Sequence, residues 1–348
     1  MSKSDYSSFI KKVLIVILFG LLLLLFKSGI HVILLLFAGG LLAILWRGLA
    51  RLIANKTNGK TKVWLPVVIV VNFLIIAALY FILAPSVANQ VDELSEKIPQ
   101  AINQVKNYLE DTQVGSRMLK SIDEDMQSGE NVMNNVNKVL NVAQGTLSAL
   151  LDILLIVVFG VFLAADPQLY RNGFVKLFPK SRRTRVKEVL DTINGTLFRW
   201  FVGKIVDMFL TAILTGIGLW LLDVPLVITF AVITFFLSFV PNIGPVIAAI
   251  PPILVTLIDS PQQALYVALM FTVVQLFETY FITPNVQKRA IQMPPVLLLV
   301  IQIFFTIILG VLALFLSTPI LATFIILIRM VYVEDVLGDK EQSQKQDA

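Results

Sequence analysis

The strongest constraint on the fold is a long apolar stretch that is interrupted near its middle. Residues 226–257 are apolar enough to lie in a bilayer, but the segment PNIGP at 241–245 breaks them. Proline removes a backbone donor and clashes with the preceding turn, and glycine costs about 1 kcal/mol relative to alanine inside a helix. The arms have about 15 and about 12 residues, so neither comfortably crosses roughly 30 Å of hydrocarbon. We therefore predict a re-entrant helical hairpin, with an ordinary loop between two short spans as the alternative.

The composition places the chain among helical membrane proteins. Of its 348 residues, 57% are hydrophobic and 15% are charged, and several segments reach the roughly 18 apolar residues that a spanning helix needs. The net charge is +5, but the basic residues cluster at the ends of apolar segments, where membrane orientation explains them better than nucleic-acid binding does. With no cysteine and one histidine, the chain lacks the residues for thiol chemistry or a histidine metal cluster. We predict an all-α polytopic membrane protein that is not an enzyme and has no metal, cofactor or nucleic-acid partner.

Basic residues orient the first three predicted spans, at about 13–26, 31–46 and 63–83. The linker after the second span carries five lysines and arginines and no acidic residue. By the positive-inside rule, this linker and the amino terminus are predicted to be cytoplasmic. Residues 1–84 are accordingly predicted to form an amino-terminal scaffold.

Residues 85–145 are predicted to form a module outside the cytoplasm. They are polar and carry an acidic excess, and they contain no apolar run long enough to span. Apolar residues at three- and four-residue spacing predict two amphipathic helices. The apolar stripes of these helices are covered either by each other or by another copy of the chain in a homo-oligomer, and the sequence leaves both alternatives open.

The remaining chain is predicted to contain three more spans and a second interrupted element. Residues 146–202 hold a fourth span, at about 147–165, and a basic amphipathic helix lying in the membrane interface. Residues 203–333 form a predicted transport domain with spans at about 203–222 and 264–281. Its last apolar segment, 294–331, is predicted to break at 317–319, and residues 334–348 form a polar cytoplasmic tail. The result is about six full spans plus two broken hairpins, arranged as an inverted repeat of the kind that secondary transporters use.

Glu278 is the strongest candidate for a functional group. An ionisable side chain in an apolar span costs a few kcal/mol, and its default interpretation is a functional site that faces the bundle interior. Gln275 lies on the same helical face. A desolvated carboxylate suits proton coupling or cation binding, whereas the alternative role is structural, at the tips of the hairpins. Asp207 lies one turn from Lys204, and we interpret these two as a surface ion pair.

Four segments resemble the autoinducer-2 exporter family, also called the PerM-like permeases. They are FLAADPQLYRNGFVKLFP, PNIGPVIAAIPP, QLFETYFITPNVQ and STPILATFIILIRMVYVEDVLGD, and the resemblance covers about residues 147–339. It implies a homo-oligomeric transporter of the bacterial cytoplasmic membrane that exports small polar signals such as autoinducer-2. Sodium/proton exchange is implied for some members.

The resemblance also assigns residues by position. Pro241, Gly244 and Pro245 match the family's elbow, which is the PNIGP segment at 241–245. Glu278 matches the family glutamate, Pro284 matches the proline that follows it, and Pro319 matches the final break. Met293 stands where many relatives have histidine, which leaves the substrate open. The complete set predicted to line the path or to couple transport comprises Pro241, Asn242, Gly244, Pro245, Gln275, Glu278, Pro284, Asn285 and Pro319.

The sequence therefore predicts a secondary transporter that exports a small polar solute by alternating access. Its predicted partners are the lipid bilayer, the solute and further copies of the chain, and its coupling to protons or sodium is open. Two alternatives are kept. One is a sodium/proton antiporter with the same fold, and the other is a non-transporting oligomeric scaffold built around residues 85–145.

Overall fold

The structure is a computed structural model that describes residues 3–82, 85, 90, 147–282 and 294–339. Within these residues the secondary structure is helical and contains no strand, which confirms the predicted all-α class. Most of the predicted module at 85–145 lies outside the described residues, as do Pro284 and Asn285. The domain boundaries drawn from the sequence stay predictions.

The first half of the chain contributes four helices. They are α1 (Lys3–Thr57), α2 (Thr61–Ile82), α3 (Leu147–Ala165) and α4 (Pro167–Lys176). The prediction of two spans separated at residues 27–29 is wrong, because α1 continues through them as one helix. One glycine in a helix costs only about 1 kcal/mol, and these residues include no proline to break it.

Small residues allow α1 and α3 to pack closely. A Cβ atom on Gly39 would lie 2.6 Å from Cβ of Phe159 and 2.9 Å from the carbonyl oxygen of Ile156. Glycine lets helix backbones approach in this way in membranes, where packing rather than a hydrophobic driving force holds helices together. The same two helices are linked by His31 Nε2 and Asp152 Oδ1, which lie 3.0 Å apart.

The next four helices contain the first interrupted element. After a 3₁₀ turn at Lys180–Arg182 come α5 (Arg183–Leu221), α6 (Val227–Leu237), α7 (Ile243–Asp259) and α8 (Pro261–Phe277), the last continuing as a π-helix, Glu278–Ile282. The basic interface helix and the fifth span were predicted as separate elements. They are one helix, α5, because its 39 residues contain no proline.

The elbow, residues 238–242, confirms a break near the predicted place, but Ile243, Gly244 and Pro245 of the predicted segment lie inside α7. It joins α6 and α7, which pack against each other and have 11 and 17 residues, so that they are about 16 and 26 Å long. Asn242 has φ +65°, a conformation that ends a helix. The re-entrant placement of this hairpin in a membrane stays a prediction.

The second interrupted element breaks at a different place from the one predicted. Helix α9 (Pro295–Leu309) ends at Gly310, and α10 (Val311–Leu327) follows and continues as a π-helix, Ile328–Glu334. The predicted break at 317–319 is wrong, because Pro319 lies inside α10. Gly310 instead has φ +82° and ψ −172°, a backbone conformation that is essentially restricted to glycine. Proline is tolerated in membrane helices because neighbouring groups satisfy the freed backbone.

Six helical segments among the described residues are long and apolar enough to cross a membrane. They are Gly29–Thr57, Thr61–Ile82, Ser148–Ala165, Lys180–Leu221, Pro261–Ile282 and Val311–Glu334. The number of spanning segments agrees with the prediction, but the segments themselves are not all the ones predicted. The segment predicted at 13–26 is part of α1 rather than a helix of its own, and the second arm of the last hairpin is long enough to be a full span.

Arg185 connects the beginning of α5 to the end of the last helix. Its Nη2 lies 2.6 Å from Glu334 Oε2 and its Nε lies 3.1 Å from Asp335 Oδ1. Nη2 also donates to the carbonyl oxygen of Met330 at 3.0 Å. These contacts place both helix ends on the same side of the molecule.

We expect Gly244→Ala to destabilise the protein by about 1–3 kcal/mol, the range for overpacking. An added Cβ would overlap the carbonyl oxygen of Leu237, the last residue of α6. Gly195→Ala is the matched control, because its Cβ would meet only Arg199 Nη1 at 3.7 Å. The thermal unfolding midpoint in detergent checks this expectation, and equal midpoints for the two variants would contradict it.

We expect Arg185→Ala to lower the free energy of unfolding by about 1–2 kcal/mol, because a charge-assisted network is lost. Arg171→Ala is the comparison, since Arg171 forms one exposed ion pair, with Asp191, and one hydrogen bond to the carbonyl oxygen of Lys187. Chemical denaturation of both variants measures the difference. An equal effect of the two substitutions would show that the Arg185 network contributes no more than a surface pair.

Candidate functional site

A buried ion pair lies on α5. Lys204 Nζ is 2.6 Å from Asp207 Oδ2, and the two side chains are only 2% and 1% exposed. The pairing predicted from the sequence is therefore correct, but its predicted place at the surface is wrong. Helix α5 packs against α6, α8 and α10, and these contacts cover the face that carries the pair.

Glu278 lies beside this pair, at the point where α8 changes into a π-helix. Its side chain is 6% exposed, and its carboxylate interacts with the charges of Asp207 and Lys204 and with the side chain of Thr211. π-Helical turns inside α-helices are frequent at functional sites. We call Lys204, Asp207, Thr211 and Glu278 the buried ion cluster.

Three oxygen atoms of the buried ion cluster form no hydrogen bond of good geometry among the described residues, although the Thr211 hydroxyl lies near the Glu278 carboxylate. They are Asp207 Oδ1, Thr211 Oγ1 and Glu278 Oε2. Buried polar atoms nearly always have a partner, so each such atom calls for an explanation such as an ion. No group of three or more His, Cys, Asp or Glu side chains that could hold a metal ion occurs in the described part of the chain.

The polar face of α5 extends one turn beyond the cluster. Lys204, Asp207, Thr211 and Thr215 are all buried, and their spacing of three and four residues puts them on one side of the helix. Thr215 Oγ1 has no hydrogen-bond partner in the parts of the chain described. This spacing is the sequence signal that identifies α5 as part of the site, because polar residues on one face of an apolar helix indicate an interior face.

The elbow contacts the second interrupted element. Gln302 of α9 is fully buried, and its Nε2 donates to the carbonyl oxygen of Pro241 at 3.3 Å. Next to Pro241, Phe239 packs against Phe315 of α10, with ring centroids 5.8 Å apart. The two elements that the sequence identified as interrupted therefore meet at the elbow.

The other residues predicted for the site have different surroundings. Gly244 and Pro245 are buried and Asn242 is exposed, and the Asn242 side chain does not cap α7. Gln275 Nε2 donates to Thr279 Oγ1 at 3.4 Å, whereas the polar neighbours of Glu278 come from α5. Pro319 is buried within α10.

An apolar cavity of about 290 Å³ lies beside the elbow, between α1, α3, α5, α6 and α10. Its lining includes Phe201, Phe236, Phe239 and Phe315. Such a lining offers no hydrogen bonds to a polar solute. The buried polar groups of α5, the elbow and Glu278 are consequently the better candidates for a polar path.

The fold and the site define a multi-pass helical membrane protein with ionisable side chains buried in its spans. Intramembrane ionisable residues typically mark substrate or ion pathways. A comparison with protein families agrees with this class, since the family described as "AI-2E family transporter" matches residues 13–332 of the chain. The chain belongs to the AI-2E transporter family.

Individual relatives are similar over part of the chain. A Borreliella burgdorferi protein named "Putative transport protein" is 31% identical over 170 residues, 47% of each chain. Bacillus subtilis YrrI is 23% identical over 49% of this chain and 48% of its own. The Escherichia coli "AI-2 transport protein TqsA" is 30% identical over 113 residues, 31% of this chain and 33% of its own. The chain spans about half the length of the first two curated relatives and a third of TqsA.

We expect Lys204→Met to destabilise the protein by about 3–5 kcal/mol, because it leaves Asp207 buried without its partner. The double variant Lys204→Met/Asp207→Asn removes both charges of the pair and should recover most of this loss. Thermal unfolding in detergent, followed by size-exclusion chromatography, shows which of the two variants is the more stable. A double variant less stable than the single one would contradict the interpretation of a buried pair.

Proposed function

We propose that this protein is a secondary transporter that exports a small polar solute by alternating access. The observation that carries the proposal is the buried ion cluster, which joins α5 to the π-helical turn of α8 within two membrane-spanning segments. Charged groups are retained at such depth when they serve transport, because each costs several kcal/mol to bury. The proposed location is the bacterial cytoplasmic membrane, with the amino terminus in the cytoplasm and the chain assembled as a homo-oligomer.

The interrupted helices support the same proposal. Secondary transporters form their sites from broken helices, whose free backbone groups contact the solute or the coupling ion. Here the elbow between α6 and α7 contacts Gln302 of α9, and Gln302 Oε1 is buried without a partner among the described residues. This oxygen suits a solute that donates a hydrogen bond.

The solute class is proposed from one relative. TqsA of Escherichia coli is named for AI-2 transport, and a small polar signal of that kind fits the polar groups at the elbow. We therefore propose an autoinducer-2-like solute for this chain.

Sodium/proton exchange is the second candidate function. Its specific support is the composition of the buried ion cluster, in which two carboxylates face one lysine. An unbalanced buried carboxylate is the usual means by which a membrane protein binds a proton or a cation.

We expect proteoliposomes that contain the purified protein to release autoinducer-2 faster when a proton gradient is imposed. Glu278→Gln should reduce this release to the level of empty liposomes, because the variant removes the titratable group of α8. Asp152→Asn is the matched control, since Asp152 is a partly exposed carboxylate of α3, and it should release the solute at the wild-type rate.

The outcomes separate the two candidate functions. Release that depends on the gradient and is lost only in Glu278→Gln supports the exporter. A wild-type rate equal to that of empty liposomes rules out autoinducer-2 as the solute. Sodium-driven proton movement in the same liposomes would then favour the antiporter.

A further inference from the structure

We propose that the apolar cavity beside the elbow binds one acyl chain of a membrane phospholipid, which packs against the elbow from inside the protein. None of the residues that line this cavity belongs to the buried ion cluster. The proposal therefore does not depend on the proposed function. It assigns a class of ligand, and a packing role, to a cavity that the transport proposal leaves unused.

The lining of the cavity decides what kind of molecule can fill it. All eleven side chains of the lining are apolar, and four of them are phenylalanines. A buried water molecule needs about two to four polar partners, which this lining does not provide. A polar solute would lose its hydrogen bonds to water without replacement. The occupant is therefore apolar.

The size of the cavity favours a hydrocarbon chain. An unfilled apolar cavity destabilises a protein in proportion to its volume, and this cavity has a volume of about 290 Å³. Apolar cavities of about 150 Å³ stay free of water and take up molecules such as benzene. The cavity beside the elbow is nearly twice as large, so it has room for part of a longer chain.

The position of the cavity identifies the source of this hydrocarbon chain. The lining residues Leu41, Ile156, Met208 and Leu316 lie on four different segments that are long and apolar enough to cross a membrane. Phe236 lines the cavity and is also 61% exposed, so the cavity is continuous with the outer apolar surface of the spans. In a membrane, phospholipid acyl chains cover that surface. An acyl chain can therefore enter the cavity from the side.

The occupant contacts the elbow through Phe239, which lies in the elbow and lines the cavity. The ring centroid of Phe239 lies 5.9 Å from that of Trp200, 6.2 Å from that of Phe201 and 5.8 Å from that of Phe315. Where Phe239 faces the cavity, no described side chain fills the space beside it. An acyl chain adds the missing dispersion contacts, and it thereby supports the elbow in the conformation seen here.

The test uses wild-type protein in bilayers that contain a phospholipid with a photoreactive diazirine on its acyl chain. After illumination, mass spectrometry of the peptides locates the attached lipid. We expect attachment at Leu41 and Leu316, which line the cavity but are only 3% and 5% exposed. Leu45 is the matched control, because it lies on the same helix as Leu41 and is also 5% exposed, but it does not line the cavity.

Two results of this experiment would overturn the proposal. One is attachment confined to exposed residues such as Leu154. The other is attachment at Leu45 equal to that at Leu41, which would show that the reagent reaches buried residues without a specific site. If a second copy of the chain filled the cavity instead of lipid, Leu41 and Leu316 would carry no lipid, and the proposal would likewise be wrong.

A substitution that fills the cavity tests the site independently. Ala38 lines the cavity, so Ala38→Phe places a ring in the space and should remove most of the attachment at Leu41 and Leu316. Ala165→Phe is the matched control, because Ala165 is exposed at the end of α3, and its attachment pattern should equal that of the wild type. Unchanged attachment in Ala38→Phe would contradict the proposal.

The outcomes remain separate from folding defects and from the transport proposal. If Ala38→Phe does not fold, the wild-type comparison of Leu41 with Leu45 still decides the question. Attachment at Leu41 without export of autoinducer-2 leaves the lipid site standing and contradicts the exporter. Export without attachment at Leu41 or Leu316 supports the exporter and contradicts the lipid site.

Discussion

The structure depends on the burial of charge inside a bundle of apolar helices. Lys204 and Asp207 lie 2.6 Å apart with almost no exposure, and Glu278 interacts with both. Such groups are stable only when helices on every side exclude solvent and hold the charges together. Helices α6, α8 and α10 pack against α5 and provide this cover, and α5, α6, α7 and α8 together form an apolar core that includes Leu219, Phe230, Val255, Val267 and Phe271. Packing and electrostatics thus stabilise the same group of helices.

Two glycines are needed at the interrupted elements for different physical reasons. Gly244 is required because α7 begins so close to the Leu237 carbonyl that no side chain fits. Gly310 has open space around it, but its φ of +82° excludes other residues. The first glycine closes the elbow tightly and the second permits a sharp change of direction. Together they bring the elbow into contact with α9 and α10.

The sequence predicted the class of fold and part of the site because these depend on local patterns. Apolar segments of spanning length identify membrane helices, and the proline-glycine segment at 241–245 indicates where one apolar helix ends and the next begins. Glu278 stood out because an ionisable residue in an apolar span is rare. The family resemblance, drawn from segments around these residues, was confirmed over residues 13–332.

Tertiary structure decided what local patterns leave open. A proline ends an isolated helix, but Pro319 remains inside α10 because the surrounding helices support it, and the break falls at Gly310. Lys204 and Asp207 have the same spacing whether they face lipid, water or protein, so their burial depends on α6, α8 and α10 packing over them. The proximity of Asp207 to Glu278, about 70 residues later in the chain, likewise arises from helix packing. The sequence alone therefore determined the helical class and the first interruption, and only the packing of the helices determined where the second interruption falls and which polar residues form one buried cluster.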